Sequence, residues 1–252
     1  MKRRSPRLIL FIIFLAVLLS ACSSSPQWSA PGVTLSVDPT GQPKEVSTGL
    51  QLLVLITVLS LAPAILMLAT SFTRIVIVLS LLRNAIGTPT IPPNQVVIGL
   101  SLLMTFFIMS PVYVEVDQQA LQPYLSNEID QPTAFRLAEA PVREFMFGQT
   151  RPKDIELFLQ MNGQSRPKSL DEISTSVLLP AFVISELRAA FIMGFVIYIP
   201  FLIIDMVVAS ILLAMGMMML PPSLISLPFK LLLFVMVDGW YLIARSLALS
   251  FT

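Results

Sequence analysis

Apolar residues fill positions 50–82, broken by a proline only at Pro63 and by a charge only at Arg74. As one helix that stretch would be about 50 Å long, more than a bilayer core of about 30 Å needs, so it must tilt, break near Pro63 or protrude. Positions 84–94 hold Gly87, Pro89, Pro92 and Pro93, which predict a firm loop. A second apolar stretch covers 96–114. Polar positions then take over from 115 to 176, with helices expected over 133–147 and 153–162. Ser169, with Glu172 three residues on, has the capping-box spacing and predicts a helix opening toward Val177. The chain becomes apolar again from 177 to its last residues. Pro200 and the pair Pro221-Pro222 divide this block into expected segments 177–199, 201–220 and 223–249. No internal repeat is visible.

The first residues have a different pattern. Lys2, Arg3, Arg4 and Arg7 precede twelve apolar residues at 8–19, then small residues follow. This is the build of a secretory signal, too short to span a bilayer comfortably. Two processing routes stay open: ordinary cleavage near Ser23, or lipidation of Cys22, because Leu19-Ser20-Ala21-Cys22 resembles a bacterial lipobox. The reading is therefore a signal peptide at 1–22, a flexible Ser- and Pro-rich linker at 23–49, and a first apolar hairpin at 50–114. A polar extracytoplasmic insert at 115–176 and a second apolar hairpin with a Met-rich loop at 177–252 complete it. Placing the insert outside puts Arg83 on the cytoplasmic side, in line with the positive-inside tendency.

Composition sharpens the class. The chain is 55% hydrophobic and 12% charged, about half the charged share of soluble domains, with a mean hydropathy of +0.82. It is read as an all-α integral membrane protein of broken helical hairpins. A formal charge of +1 gives no reason to expect nucleic acid. With no histidine and one cysteine, a zinc site, a thiol–imidazole pair and an intrachain disulfide are all excluded. No nucleophile elbow or phosphate loop is present. Neither catalytic residues, a metal nor a cofactor is expected. The insert carries ten of the fifteen acids against six basic residues, so it is net acidic.

Two features remain as candidates. Arg74, Glu186, Arg188, Asp205 and Asp238 lie in apolar surroundings, where a charge facing lipid costs about 2.5–3.5 kcal/mol even on the mild insertion scales. They are expected to pair, within the chain or between subunits, while Arg245 and Lys230 are read as snorkelling to the interface. The second feature is Met215-Gly216-Met217-Met218-Met219-Leu220-Pro221-Pro222. Three successive methionines cannot share one helix face. Beside a proline pair they predict a tip of soft, polarizable side chains suited to closing around varied shapes.

These residues resemble the FliP family of flagellar type III export gates. The likeness runs from Ser60-Leu-Ala-Pro-Ala-Ile-Leu through Thr70-Ser-Phe-Thr-Arg74, Leu82-Arg-Asn-Ala-Ile-Gly-Thr, Pro92-Pro-Asn-Gln95 and Phe106-Phe-Ile-Met-Ser-Pro111. It continues in Pro180-Ala-Phe-Val-Ile-Ser-Glu-Leu-Arg188, Pro200-Phe-Leu-Ile-Ile-Asp205, the methionine tip and Asp238-Gly-Trp240. The resemblance implies a homo-oligomer, a pentamer, joined by FliQ-like and FliR-like subunits in a ring or cone. It also implies a bacterial inner-membrane location in the flagellar basal body and unfolded proteins as cargo. Met217, Met218 and Met219 would be the pore gasket. A virulence injectisome subunit, a small-molecule transporter and an assembly scaffold without a pore are the other readings.

Overall fold

A computed structural model describes residues 29–30, 33–34, 43–163, 169–217 and 220–251. The chain divides into two compact units, 1–60 and 61–252. In the first, β1 (Ser29–Ala30) and β2 (Val33–Thr34) form a minimal antiparallel pair, with Ala30 opposite Val33. Helix α1 (Pro43–Leu68) crosses the division and continues through Pro63. Its apolar side chains from Leu53 to Leu59 are exposed around the helix. The Thr57 and Ser60 hydroxyls donate back to the carbonyls of Leu53 and Thr57, so they offer lipid no open donor.

The second unit is built on two helices. In α2 (Phe72–Ile86), Ile75, Val78, Leu79, Leu82 and Ile86 recur at the helical period and are all at most 5% exposed. They meet α8 (Thr175–Ala214), which at 40 residues is about 60 Å long. Arg74 faces Glu186, and a Cβ built on Gly194 would lie 2.2 Å from the Leu81 Cδ1. The numbering advances together on both helices, so α2 and α8 run parallel. Gly194 lets the two helices approach closely, since a side chain there would force the Leu81 side chain to shift.

Helix α3 (Asn94–Ile108) returns antiparallel to α2 and buries Val97, Ser101 and Thr105, one turn apart. Both hydroxyls bond the carbonyl four residues earlier, Ser101 to Val97 and Thr105 to Ser101, at 2.7 Å each. Leu103, Phe106 and Phe107 point outward. Small polar residues inside and large apolar ones outside are the arrangement that a lipid or protein apolar environment selects.

Between α3 and α8 come α4 (Ser110–Val116), a wider turn at Asp117–Leu121, α5 (Gln122–Leu125), and then the body of the insert, α6 (Gln131–Gln149) and α7 (Pro152–Met161). Asp130 caps α6 by accepting from the Thr133 N–H at 3.3 Å. Helices α6 and α7 pack on the first turns of α8 around Met146, Ile155, Leu159 and Phe182. Beyond α8, α9 (Pro222–Met236) runs back along it, and α10 (Gly239–Leu249) leaves α9 at 63°.

Alone, α8 is long and apolar enough to cross a membrane, and α3 with the following α4–α5 stretch (57°) and α9 with α10 qualify as bent pairs. Apart from the β1–β2 pair, the regular structure of the described residues is helical, with at least one helix able to cross a membrane. Three sequence expectations need correction. The first long apolar stretch breaks at Ala69–Ser71 and not near Pro63. Helix α8 does not break at Pro200. One proline removes a single backbone bond, and α8 is held before it by α2 and after it by α9, where Phe201 packs on Phe234. The break falls instead at Asp238, whose left-handed backbone (φ 51°) an aspartate accepts more readily than most residues. Ser169 does not cap α8 either. Leu170–Glu172 is a short 3₁₀ turn, and extended Ile173 separates it from Thr175, its carbonyl held by Arg143 at 2.6 Å.

Candidate functional site

The long helix has two chemically different ends. At one, α8 stops in a Schellman turn: the Gly216 N–H bonds the Leu213 carbonyl at 3.0 Å and the Met217 N–H bonds Leu212 at 2.9 Å. Gly216 has φ 76°, a conformation glycine adopts without strain. Pro222 occupies the start of α9, where its missing N–H costs nothing. The glycine and the proline therefore pin both sides of a short tip. Met215 and Met217 are exposed on it; Met218 and Met219 lie outside the described residues, as does Cys22.

At the opposite end is a charge cluster. The Arg74 guanidinium donates through Nε to Glu186 Oε2 at 2.9 Å and through Nη2 to Glu186 Oε1. It also donates to Gln149 Oε1 at 2.9 Å, the Ser250 carbonyl at 2.8 Å and the Ser250 hydroxyl at 3.0 Å. All five donors of the fork are used. The guanidinium stacks 3.9 Å from the Phe251 ring, and Glu186 is fully buried. One arginine thus joins α2, the insert, α8 and the end of α10.

A second pair sits nearer the tip. Lys230 donates to Asp205 Oδ2 at 2.6 Å and to the Ala85 carbonyl at 3.3 Å, while Ser226 donates to Asp205 Oδ1 at 2.6 Å. Lys230 does not snorkel to an interface. It is 5% exposed, because the end of α2 and the face of α8 enclose it and Asp205 supplies the counter-charge. Arg188 and Asp238 are exposed on this chain, and so is Arg245. Sequence reasoning missed Gln149, Ser226 and Ser250 as partners. No local signal marks them, since each acquires its role only through a contact distant in sequence.

The insert is fastened to α8 by a smaller lock. Asp154 accepts from Arg151 Nη2 at 2.6 and 2.9 Å and from the Ser185 hydroxyl, and that hydroxyl accepts from the Arg151 N–H at 3.1 Å. Burial alone would raise the Asp154 carboxyl. The bonds from Ser185 and Arg151, with the positive charges of Arg151 and Arg188, outweigh it and hold the group below its ordinary value of 3.8. A depressed carboxyl contributes stability above its unfolded value and loses it as pH falls through the folded one. Acidification below about pH 4 is therefore expected to free α7 from α8 before the rest of the fold yields. Hydrogen exchange at Ile155 and Leu159 against pH measures this, and Asp154→Asn should flatten the profile.

A largely helical chain with two charge pairs neutralised inside its apolar bundle, a helix long enough to cross a membrane and a polar insert has the build of a membrane-associated component. Among the described residues no three metal-ligating side chains come together. The model of the FliP family matches residues 55–247. The chain is 54% identical over 217 residues to the flagellar biosynthetic protein FliP of Bacillus subtilis, covering 86% of this chain and 98% of that one. Against the protein of the same name from Pectobacterium carotovorum the identity is 53% over 221 residues, covering 88% and 85%. Against that of Borreliella burgdorferi it is 43% over 247 residues, covering 96% and 97%. The chain belongs to the FliP family and is a component of flagellar biosynthesis.

Proposed function

We propose that this chain is a channel-forming subunit of the flagellar protein-export gate in the bacterial inner membrane, where several copies, five by family resemblance, surround a passage for unfolded flagellar proteins. FliQ-like and FliR-like subunits complete the gate, and the chain itself performs no catalysis. The reading rests above all on the tip. A glycine-capped helix end and a proline-started helix present Met217 outward beyond the Lys230–Asp205 pair. The Gly216 cap fixes where Met217 is held, while the thioether keeps its three rotatable bonds, so the collar is placed by backbone and shaped by side chains. Repeated around an axis, Met217, Met218 and Met219 form a dry constriction that yields to cargo of varied sequence. The insert faces the extracytoplasmic side, and Arg83 and the tip face the cytoplasmic side, an orientation that follows from a secretory signal at 1–22 and agrees with the positive-inside tendency at Arg83. The relatives' flagellar names favour this reading over an injectisome subunit.

Replacing Met217, Met218 and Met219 together with alanine is expected to leave assembly intact and raise resting ion conductance of the complex at least severalfold in planar bilayers. Unchanged conductance with normal assembly would remove the gasket, and loss of assembly would favour a scaffold without a pore.

A further inference from the structure

Two grooves lie on opposite sides of α2. Leu79, Leu82 and Ile86 line one, of about 440 Å³, together with Phe234 and Trp240 of the α9–α10 elbow. Leu81 lines the other, of about 610 Å³, together with Arg188, Phe191 and Phe195 of α8. At 100° per residue, Leu81 points away from the first set. Arg188 lines the second groove and Arg83 the first, while Asp238 lies on the elbow between Val235 and Trp240 of the first groove's lining. Arg188 stands among exposed Ile184, Phe191, Ile192 and Phe195; Asp238 stands among exposed Val235, Met236, Val237 and Trp240.

Among the described residues neither Arg188 nor Asp238 makes a side-chain hydrogen bond or an ion pair within 4 Å, and Arg188 feels only the more distant carboxylate of Asp154. Arg74 with Glu186 and Lys230 with Asp205 are paired inside the chain, and Arg83 of α2 bonds the Pro92 carbonyl and Asn94. Arg188 and Asp238 are opposite in sign, and along their helices both come between the Arg74–Glu186 and Lys230–Asp205 pairs. Arg188 follows Glu186 by two residues, and Asp238 follows Lys230 on the path that ends at Ser250. An apolar neighbour placed over either would strand a charge, whereas a second copy supplies the counter-charge on an apolar elbow.

We propose that Arg188 of one copy pairs with Asp238 of the next, the α9–α10 elbow of each chain seating in the α8 groove of its neighbour. This rests on the multi-copy reading above and adds its geometry. Because the two surfaces are different faces of one chain, the contact is head-to-tail, the kind that generates a ring where the rotation closes.

Bismaleimide cross-linking in membranes tests it, using the full chain with Cys22→Ala to remove the native thiol. Arg188→Cys with Asp238→Cys should give a ladder of linked copies. Either cysteine alone, or Arg188→Cys with Arg245→Cys, should give none. In parallel, Arg188→Asp and Asp238→Arg should each lower the assembled fraction about tenfold, roughly 1.4 kcal/mol, and the double reversal should restore it. A wild-type chain that assembles while the double-cysteine variant gives no ladder overturns the pairing but leaves the multi-copy reading standing. So does a ladder from one cysteine alone or from the Arg245 control, or a double reversal that fails to restore assembly. A wild-type chain that stays single-copy in native mass measurements overturns both.

Discussion

Arg74→Ala is expected to destabilise the fold by about 3–5 kcal/mol and to remove most of the folded protein from the membrane. The substitution strands Glu186, which is fully buried, without a counter-ion, and such uncompensated charges fall in that range. It also frees Gln149 and both Ser250 acceptors, so the insert and the end of α10 lose their common anchor on α2. Arg74→Lys should recover only part of the loss, because an ammonium cannot reproduce a five-donor planar fork or its stacking on Phe251. Replacing both partners, Arg74→Met with Glu186→Leu, should be better tolerated than Arg74→Ala, since no charge is then buried alone. Thermal unfolding in detergent and membrane levels of the three variants give the ranking. If Arg74→Ala is as stable as the parent, the cluster does not hold the fold together.

Lys230→Met should cost less, about 1–3 kcal/mol, and should act at the other end of the bundle. Asp205 would keep its bond from Ser226 but lose its cation. Its side chain is 29% exposed, so water takes up part of the lost interaction, and the full penalty of a buried orphan charge does not apply. Adding Asp205→Asn should recover most of the stability by removing the charge while retaining a partner for Ser226. Unfolding midpoints of the single and double variants decide it: a double variant weaker than Lys230→Met would show that the pair is not the source of the effect. The altered packing sits where α2, α8 and α9 meet, so the tip should become more mobile in the single variant. Hydrogen exchange at Gly216 and Met217 would report that change.

Features with local causes are legible in the amino-acid sequence. The turn at Gly87, the caps around Gly216 and Pro222, and the helical character of the insert all follow from residues acting on their own backbone. The same holds for Arg74, Glu186 and Asp205 as charges that cannot face lipid. Their partners are not legible. Glu186 is 112 residues from Arg74 and Ser250 is 176 away, and nothing in either neighbourhood encodes the encounter. Proline misleads in the other direction, because Pro200 reads as a stop by local rules while contacts from two other helices carry α8 past it. Asp238 stands out in the sequence as a charge, although its backbone is the more informative property.

The parallel course of α2 and α8 bears on how the protein is made. Arg74 leaves the ribosome well before its carboxylate partner Glu186, which follows 112 residues later, a lag of roughly 6–22 s at ordinary rates of synthesis. Throughout that interval the first half of the nascent chain holds a cation whose counter-charge has not yet been made. The Arg74–Glu186 pair therefore cannot close until translation has passed Glu186, and slowing the ribosome between codons 87 and 174 should lengthen the period in which proteases recognise the chain.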